Sequence, residues 1–263
     1  MRKCSQVLFI VMLLFSFNCD ASEKEPHVIL FEDTESKKEF ALEISSMISS
    51  AWEKWQNAVI VSDIDVDGSQ GILSPGDIKG PVLTAVDMLN EFHSDDQSSE
   101  YKRCVKAVAL AVANGMRLWQ RGYINGDIPF PQGTSCVYTL TPCYNVPVSV
   151  GSGSSSGDMA MTGKKLYSYM LYSGPGQEEN VKIVFHATAS AIVRGFQKWR
   201  ETCLITDILA KGGVAPPPAP MGTGPGIVNG AKGNGGKLTG VSFDANLMYE
   251  KMCEYYEAHR LKG

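Results

Sequence analysis

One seventeen-residue stretch occurs three times in the chain, in fixed register and without gaps, and it limits the possible folds more than any other feature. The copies are ISSAWEKWQNAVIVSDI at 48–64, VANGMRLWQRGYINGDI at 112–128 and IVRGFQKWRETCLITDI at 192–208. Trp55, Trp119 and Trp199 align. One turn before each stands a small residue, Ala51, Gly115 or Gly195, and each copy closes on Asp-Ile, at Asp63, Asp127 and Asp207. Self-similarity in a fixed register marks supersecondary units that bury their apolar faces against one another.

Before Trp55, Phe40, Ile44, Met47, Ile48, Ala51 and Trp52 step by three and four, the period of one helix face. The same spacing predicts helices over 37–56, 99–120 and 179–201. Glycine inside a helix costs about 1 kcal/mol relative to alanine. Gly115 and Gly195 therefore point to close helix approach, with the tryptophan filling the space beside it. Further helices are predicted over 81–92, where Pro81 suits a first turn, and over 162–172 and 244–259. A short strand leaves the first helix at 59–61.

The intervening stretches are rich in turn residues. Residues 91–100 read as a solvated acidic linker, 126–150 as extended chain, GSGSSSG at 151–157 as a flexible connector, and 212–240 as a long Gly/Pro loop. The ends of the first and third loops align as Leu83-Thr84-Ala85-Val86 with Leu238-Thr239-Gly240-Val241. The expected fold is mainly α with short β or extended segments, an α+β class. It has three helix–turn/strand-loop–helix modules at 22–95, 96–174 and 175–263, packed about a pseudo-threefold centre as one globular domain.

The N-terminus reads as a signal peptide over 1–21. Arg2 and Lys3 are basic, 7–15 is apolar, and Cys19-Asp20-Ala21 supplies small residues for cleavage. That implies export to the periplasm, the cell envelope or the medium. A lipid anchor at Cys19 is the alternative, which Ser16, Phe17 and Asn18 disfavour. Residues 22–36 read as a polar lead-in with a short strand at 27–31. Cleavage leaves Cys104, Cys136, Cys143, Cys203 and Cys253, and Cys136 with Cys143 would form a local disulfide. Their spacing is not that of a zinc site. A net charge of −4 with no Lys/Arg block argues against a nucleic-acid partner, and no later segment is apolar enough to span a membrane.

The sharpest candidate site is Asp63, Asp65 and Asp67 before Gly68, because alternating carboxylates and a glycine can wrap Ca²⁺. Gln70 and Ser74 break the EF-hand pattern, so a solvated acidic turn competes with it. Asp63, Asp127 and Asp207 together read as turn residues that end each strand. Gly153 to Gly157 matches G-x-S-x-G, but Pro147 and the low complexity make it a linker. Thr162 and Lys165 stand where a phosphate-binding loop needs other residues. His27, His93, His186 and His259 lack metal spacing. His186 could act as a general base, but a structural role is the more ordinary reading.

These absences, with the repeat, predict an exported non-catalytic structural or assembly subunit of a cell-envelope or secreted complex. Its contact surfaces would be 65–80 and 212–240, and protein partners or self-assembly are expected. The alternatives are a Ca²⁺-dependent or other ligand-binding module and a secreted hydrolase.

Overall fold

Asp33 starts the first helix: its Oδ1 accepts the Ser36 backbone N–H at 2.7 Å, satisfying a donor at the helix end. The structure, a computed structural model, describes residues 30–260 except 68–70, 75, 95, 126–142, 145–147, 177, 208 and 216–226. Of 64–67, 71–74, 143–144, 148, 209–215 and 227–234 it describes the backbone alone. The predicted leader at 1–21, with Cys19, lies outside the described residues, as do Asp127 and Cys136.

Three long helices, α1 (Thr34–Ala58), α3 (Ser99–Gly122) and α5 (Glu179–Thr202), alternate in the chain with three shorter ones, α2 (Ala85–Leu89), α4 (Gly163–Ser173) and α6 (Ala245–Arg260). They pack in chain order, and α6 closes the circle by lying against both α5 and α1. The long helices bury the face read from the sequence, including Ile44, Ile48 and Trp52 on α1, Val105, Val112 and Trp119 on α3, and Val184, Ile192 and Trp199 on α5. One continuous core runs through all six.

Each long helix runs straight into a short strand: β1 (Ile60–Ser62), β5 (Tyr123–Ile124) and β9 (Leu204–Thr206). With β4 (Asp77–Lys79), β7 (Val148–Ser149) and β12 (Gly236–Thr239), two of them form an antiparallel sheet of order β4-β1-β12-β9-β7. Strand β5 pairs with β8 (Ser154–Ser155) and reaches the same sheet through a Gly76–Asn125 bridge, in which the Asn125 N–H donates to the Gly76 carbonyl at 2.8 Å. A second sheet contains β2 (Ile64–Asp67), β3 (Gly71–Ser74), β6 (Cys143–Tyr144), β10 (Leu209–Ala215) and β11 (Ile227–Asn234), in the order β3-β2-β11-β10-β6. The fold is thus mainly helical with antiparallel sheet, an α+β arrangement.

The residue before each short helix's N-cap is a buried plug. These residues are Leu83, Met161 and Phe243. A Cβ on Gly115 would lie 2.5 Å from Met161 Sδ, and one on Gly195 would lie 2.6 Å from Phe243 Cζ. Ala51, on α1, lines one groove with Leu83. The glycines are therefore small because a larger plug sits on them.

The tryptophan ends of the long helices meet around Trp199, whose ring centroid is 5.1 Å from that of Trp52 and 5.7 Å from those of Trp55 and Trp119. Two of the N–H groups, those of Trp55 and Trp199, engage the next long helix. Trp55 Nε1 donates to Gln120 Oε1 at 3.0 Å, and Trp199 Nε1 donates to Gln56 Oε1 at 2.7 Å. The acceptors directly follow Trp119 and Trp55. The residue after Trp199 is Arg200, which cannot accept a hydrogen bond. Asp158 supplies the missing acceptor: its Oδ1 takes Trp119 Nε1 and Arg200 Nη1, each at 3.1 Å.

Several expectations need correction. Residues 151–157 are not a flexible connector. They hold a 3₁₀ turn and β8, and the Ser155 hydroxyl donates to the Trp119 carbonyl at 2.6 Å, so the stretch is pinned to the end of α3. The 212–240 stretch is not a loop throughout. Strands β10 and β11 pair from Leu209↔Asn234 to Ala215↔Ile227, because glycine does not prevent backbone pairing. The helix expected from Pro81 begins only at Ala85, where Thr84 and Asp87 form a reciprocal capping box. Leu30 and Phe31 form a turn, not the end of a strand.

The loop-end alignment also shifts by five residues. Gly80 and Gly240 correspond, with φ of 117° and 100°, and a Cβ on either would press on a carbonyl at the end of α1 or α5, at 3.3 and 3.1 Å. Leu238 consequently lies in β12, while Leu83 precedes α2.

Candidate functional site

The second sheet collects the stretches that the sequence marks as contact surfaces. Strands β2 and β3 come from residues 64–74, and β10 and β11 from 209–234, while β6 adds two residues from the middle of the chain. Strand β11 is central, pairing with β2 through Ala231↔Val66 and Gly233↔Ile64 and with β10 along its length. Among the described residues, β3 and β6 are the sheet's edges. The sheet packs mainly on itself and meets the rest of the fold where β11 lies by β1.

Two aspartates hand the chain from the first sheet to the second. Asp63, between β1 and β2, and Asp207, after β9, both have φ of 60°. The left-handed region strains most side chains, but Asp tolerates it because its short carboxylate bonds locally. One such residue turns an extended chain sharply enough to leave one sheet and enter another. Lysines face both hinges: Lys79 Nζ is 3.2 Å from Asp63 and 2.7 Å from Asp77, and Lys237 Nζ is 3.8 Å from Asp207. The hydrogen bond it donates to Asp77, then that to Asp63, holds the Lys79 ammonium above its usual 10.5.

For the Asp63, Asp65, Asp67 triad, the structure shows that Asp65 and Asp67 lie in strand β2. Asp65 stands opposite Ser74 and Lys232, and Asp67 opposite Gly71. That backbone is extended, paired on both sides at Asp65 and with β3 at Asp67. Among the described residues no cluster of three His, Cys, Asp or Glu could hold a metal, and the side chains of Asp65 and Asp67 lie outside that description.

Ser155, inside the G-x-S-x-G match, accepts the Gly157 N–H at 2.9 Å besides donating to Trp119. It sits in a structural turn. Cys104, Cys203 and Cys253 are free thiols. Burial pushes the first two up to about 12, which keeps them protonated and unreactive. The expected Cys136–Cys143 pair lies outside the described side chains. No described helix is long and apolar enough to cross a membrane.

Sequence reading missed the surroundings of His186. The imidazole is exposed on α5, stacked at 5.2 Å on Tyr255 and met edge-on by Tyr167 at 5.4 Å. Tyr255 in turn is tied to His259, its hydroxyl 2.8 Å from Nε2. The only signals were local, a Tyr-x-x-x-His on α6 and the helical spacing of His186, Ser190 and Val193; nothing linked the three helices.

Comparison with protein-family models, with curated proteins and with solved structures finds no match.

Proposed function

We propose that the protein is an exported, non-catalytic structural or assembly subunit of a cell-envelope or secreted complex, and that it meets its partner through the second sheet. The observation that carries this reading is the sheet itself. It is gathered from distant parts of the chain, is entered from the first sheet at two left-handed aspartates, and presents β3 and β6 as edges among the described residues. An edge strand offers unpaired N–H and C=O groups to another chain.

The helical layer serves as a rigid base in this proposal. Three copies of one helix–strand–helix unit are joined head to tail, each tryptophan reaching toward the next copy. The Trp55–Gln120 and Trp199–Gln56 bonds support that, as does the Asp158 bridge at the third junction.

Leu73 tests the reading, because it is skipped in the β2–β3 register between Val66↔Ile72 and Asp65↔Ser74. A proline there blunts the edge at small cost to the ladder. Wild type should self-assemble or co-purify with a stoichiometric partner from the envelope or secreted fraction, as seen by light scattering after size exclusion. Leu73→Pro, with an unchanged melting temperature, should lose this. A wild type that stays monomeric and partnerless refutes the assignment.

A further inference from the structure

We infer that the groove between α4 and α5 binds a small organic anion, a carboxylate or phosphate carried on an apolar body. The groove has a volume of about 400 Å³ and is lined by Lys164, Tyr167, His186, Ala189, Ser190 and Val193. Its chemistry is divided. Ala189, Val193 and the Tyr167 ring form an apolar floor and wall. Lys164, Ser190 and His186 bring donors to the rim, the arrangement by which ligand sites hold an apolar body and orient one polar head.

The charge around it has one sign. The chain is acidic overall, at −4, yet residues 163–173 hold two lysines and no acid. Lys164, Lys165, Arg194 and Lys198 form no ion pair among the described residues, whereas three acids on α5 and α6 are paired. Glu179 pairs with Lys182 at 3.7 Å, Glu254 with Lys251 at 2.6 Å and Glu257 with Lys38 at 3.9 Å. Unneutralised cations in a concave site attract an anion, and a charge-assisted hydrogen bond fixes it.

The imidazole is also held in place. Tyr255 stacks on one side of His186 and Tyr167 meets it edge-on, so its ring is oriented without a ligand. Such preorganisation lowers the ordering cost of binding.

The test uses the full chain and four probes of one size. Benzoate and phenyl phosphate carry the anion, phenol is neutral and benzylamine is cationic. Binding is read by calorimetry and by NMR shifts of the His186 imidazole. Both anions should saturate a site that shifts His186, with phenol and benzylamine at least about tenfold weaker, since neither can accept the charge-assisted bond that holds the anion. Lys164→Gln should weaken the anions by a similar factor, and Ser190→Leu, which fills the groove from an exposed position, should abolish binding while the melting temperature holds. Equal affinity for all four probes, no saturable shift with either anion, or unchanged binding in Lys164→Gln overturns the inference.

Discussion

Substituting alanine at Gly195 tests the packing of the helical layer most directly. The new Cβ would lie 2.6 and 2.8 Å from two carbons of the Phe243 ring, which is 1% exposed and itself 4.6 Å from Trp52. A buried aromatic ring has nowhere to turn, so the strain passes to its neighbours. Overpacking typically costs about 1–3 kcal/mol, and the better helix propensity of alanine offsets about 1 kcal/mol of that. Gly195→Ala should therefore destabilise by up to about 2 kcal/mol, a fall of up to roughly 8 °C in melting temperature for a chain of this size. At Gly115 the nearest atom is Met161 Sδ, near the end of a flexible side chain. Gly115→Ala should stay within about 0.5 kcal/mol of wild type, because methionine adapts to irregular space. The decisive variant is Gly195→Ala with Phe243→Leu, which recreates the combination of Ala51 on α1 with Leu83 before α2. Urea unfolding of the four members of the cycle should give a favourable coupling of about 1 kcal/mol or more. Additive effects within about 0.3 kcal/mol, or equal losses at Gly115 and Gly195, would refute the plug-and-glycine argument.

The hydrogen bonds between tryptophan and its acceptors make a second test. Gln56→Leu leaves the buried Trp199 N–H without its acceptor at 2.7 Å and should cost about 1–3 kcal/mol in urea unfolding; an unchanged midpoint would mean the bond is energetically idle. The buried thiols set a pH dependence. Cys104 and Cys203 rise from an ordinary 9.0 to about 12 on burial, so between those values the unfolded chain releases protons that the folded one keeps. Stability is then fully present below about pH 9 and falls as pH rises toward 12. Unfolding measured across that range should show less of a fall in Cys104→Ala and Cys203→Ala, and alkylation at pH 8 should modify Cys253 well before either of them.

The helices were legible because their apolar spacing is strict: Phe40, Ile44, Ile48 and Trp52 are all fully buried on α1. The small residues before the tryptophans were read as points of close helix approach, whereas the side chains of Met161 and Phe243 are what lie against Gly115 and Gly195. Met161 and Phe243 come from segments far along the chain, and no periodicity connects a plug to its glycine. The Gly-rich stretch at 227–234 was misread because strand pairing there is a property of backbone partners, and glycine composition carries no record of them. The aspartates were read as turn residues, and Asp63 and Asp207 do turn the chain. What that turn does, passing the chain from one sheet to another, depends on partners in distant sequence. The groove around Lys164 and His186 was invisible for the same reason, since its walls come from separate helices.

Because α6 wedges between α5 and α1, with Lys38 reaching Glu257 across the seam, α1 is synthesised long before the helix that covers its flank. Until α6 has been made, the apolar side chains of α1 that it covers face water, so an emerging chain must be shielded or kept loose until then. The same seam brings the start of α1 close to the end of α6. A circularly permuted gene that joins them with a short linker and opens the chain elsewhere should thus yield the same body, with a different helix left waiting.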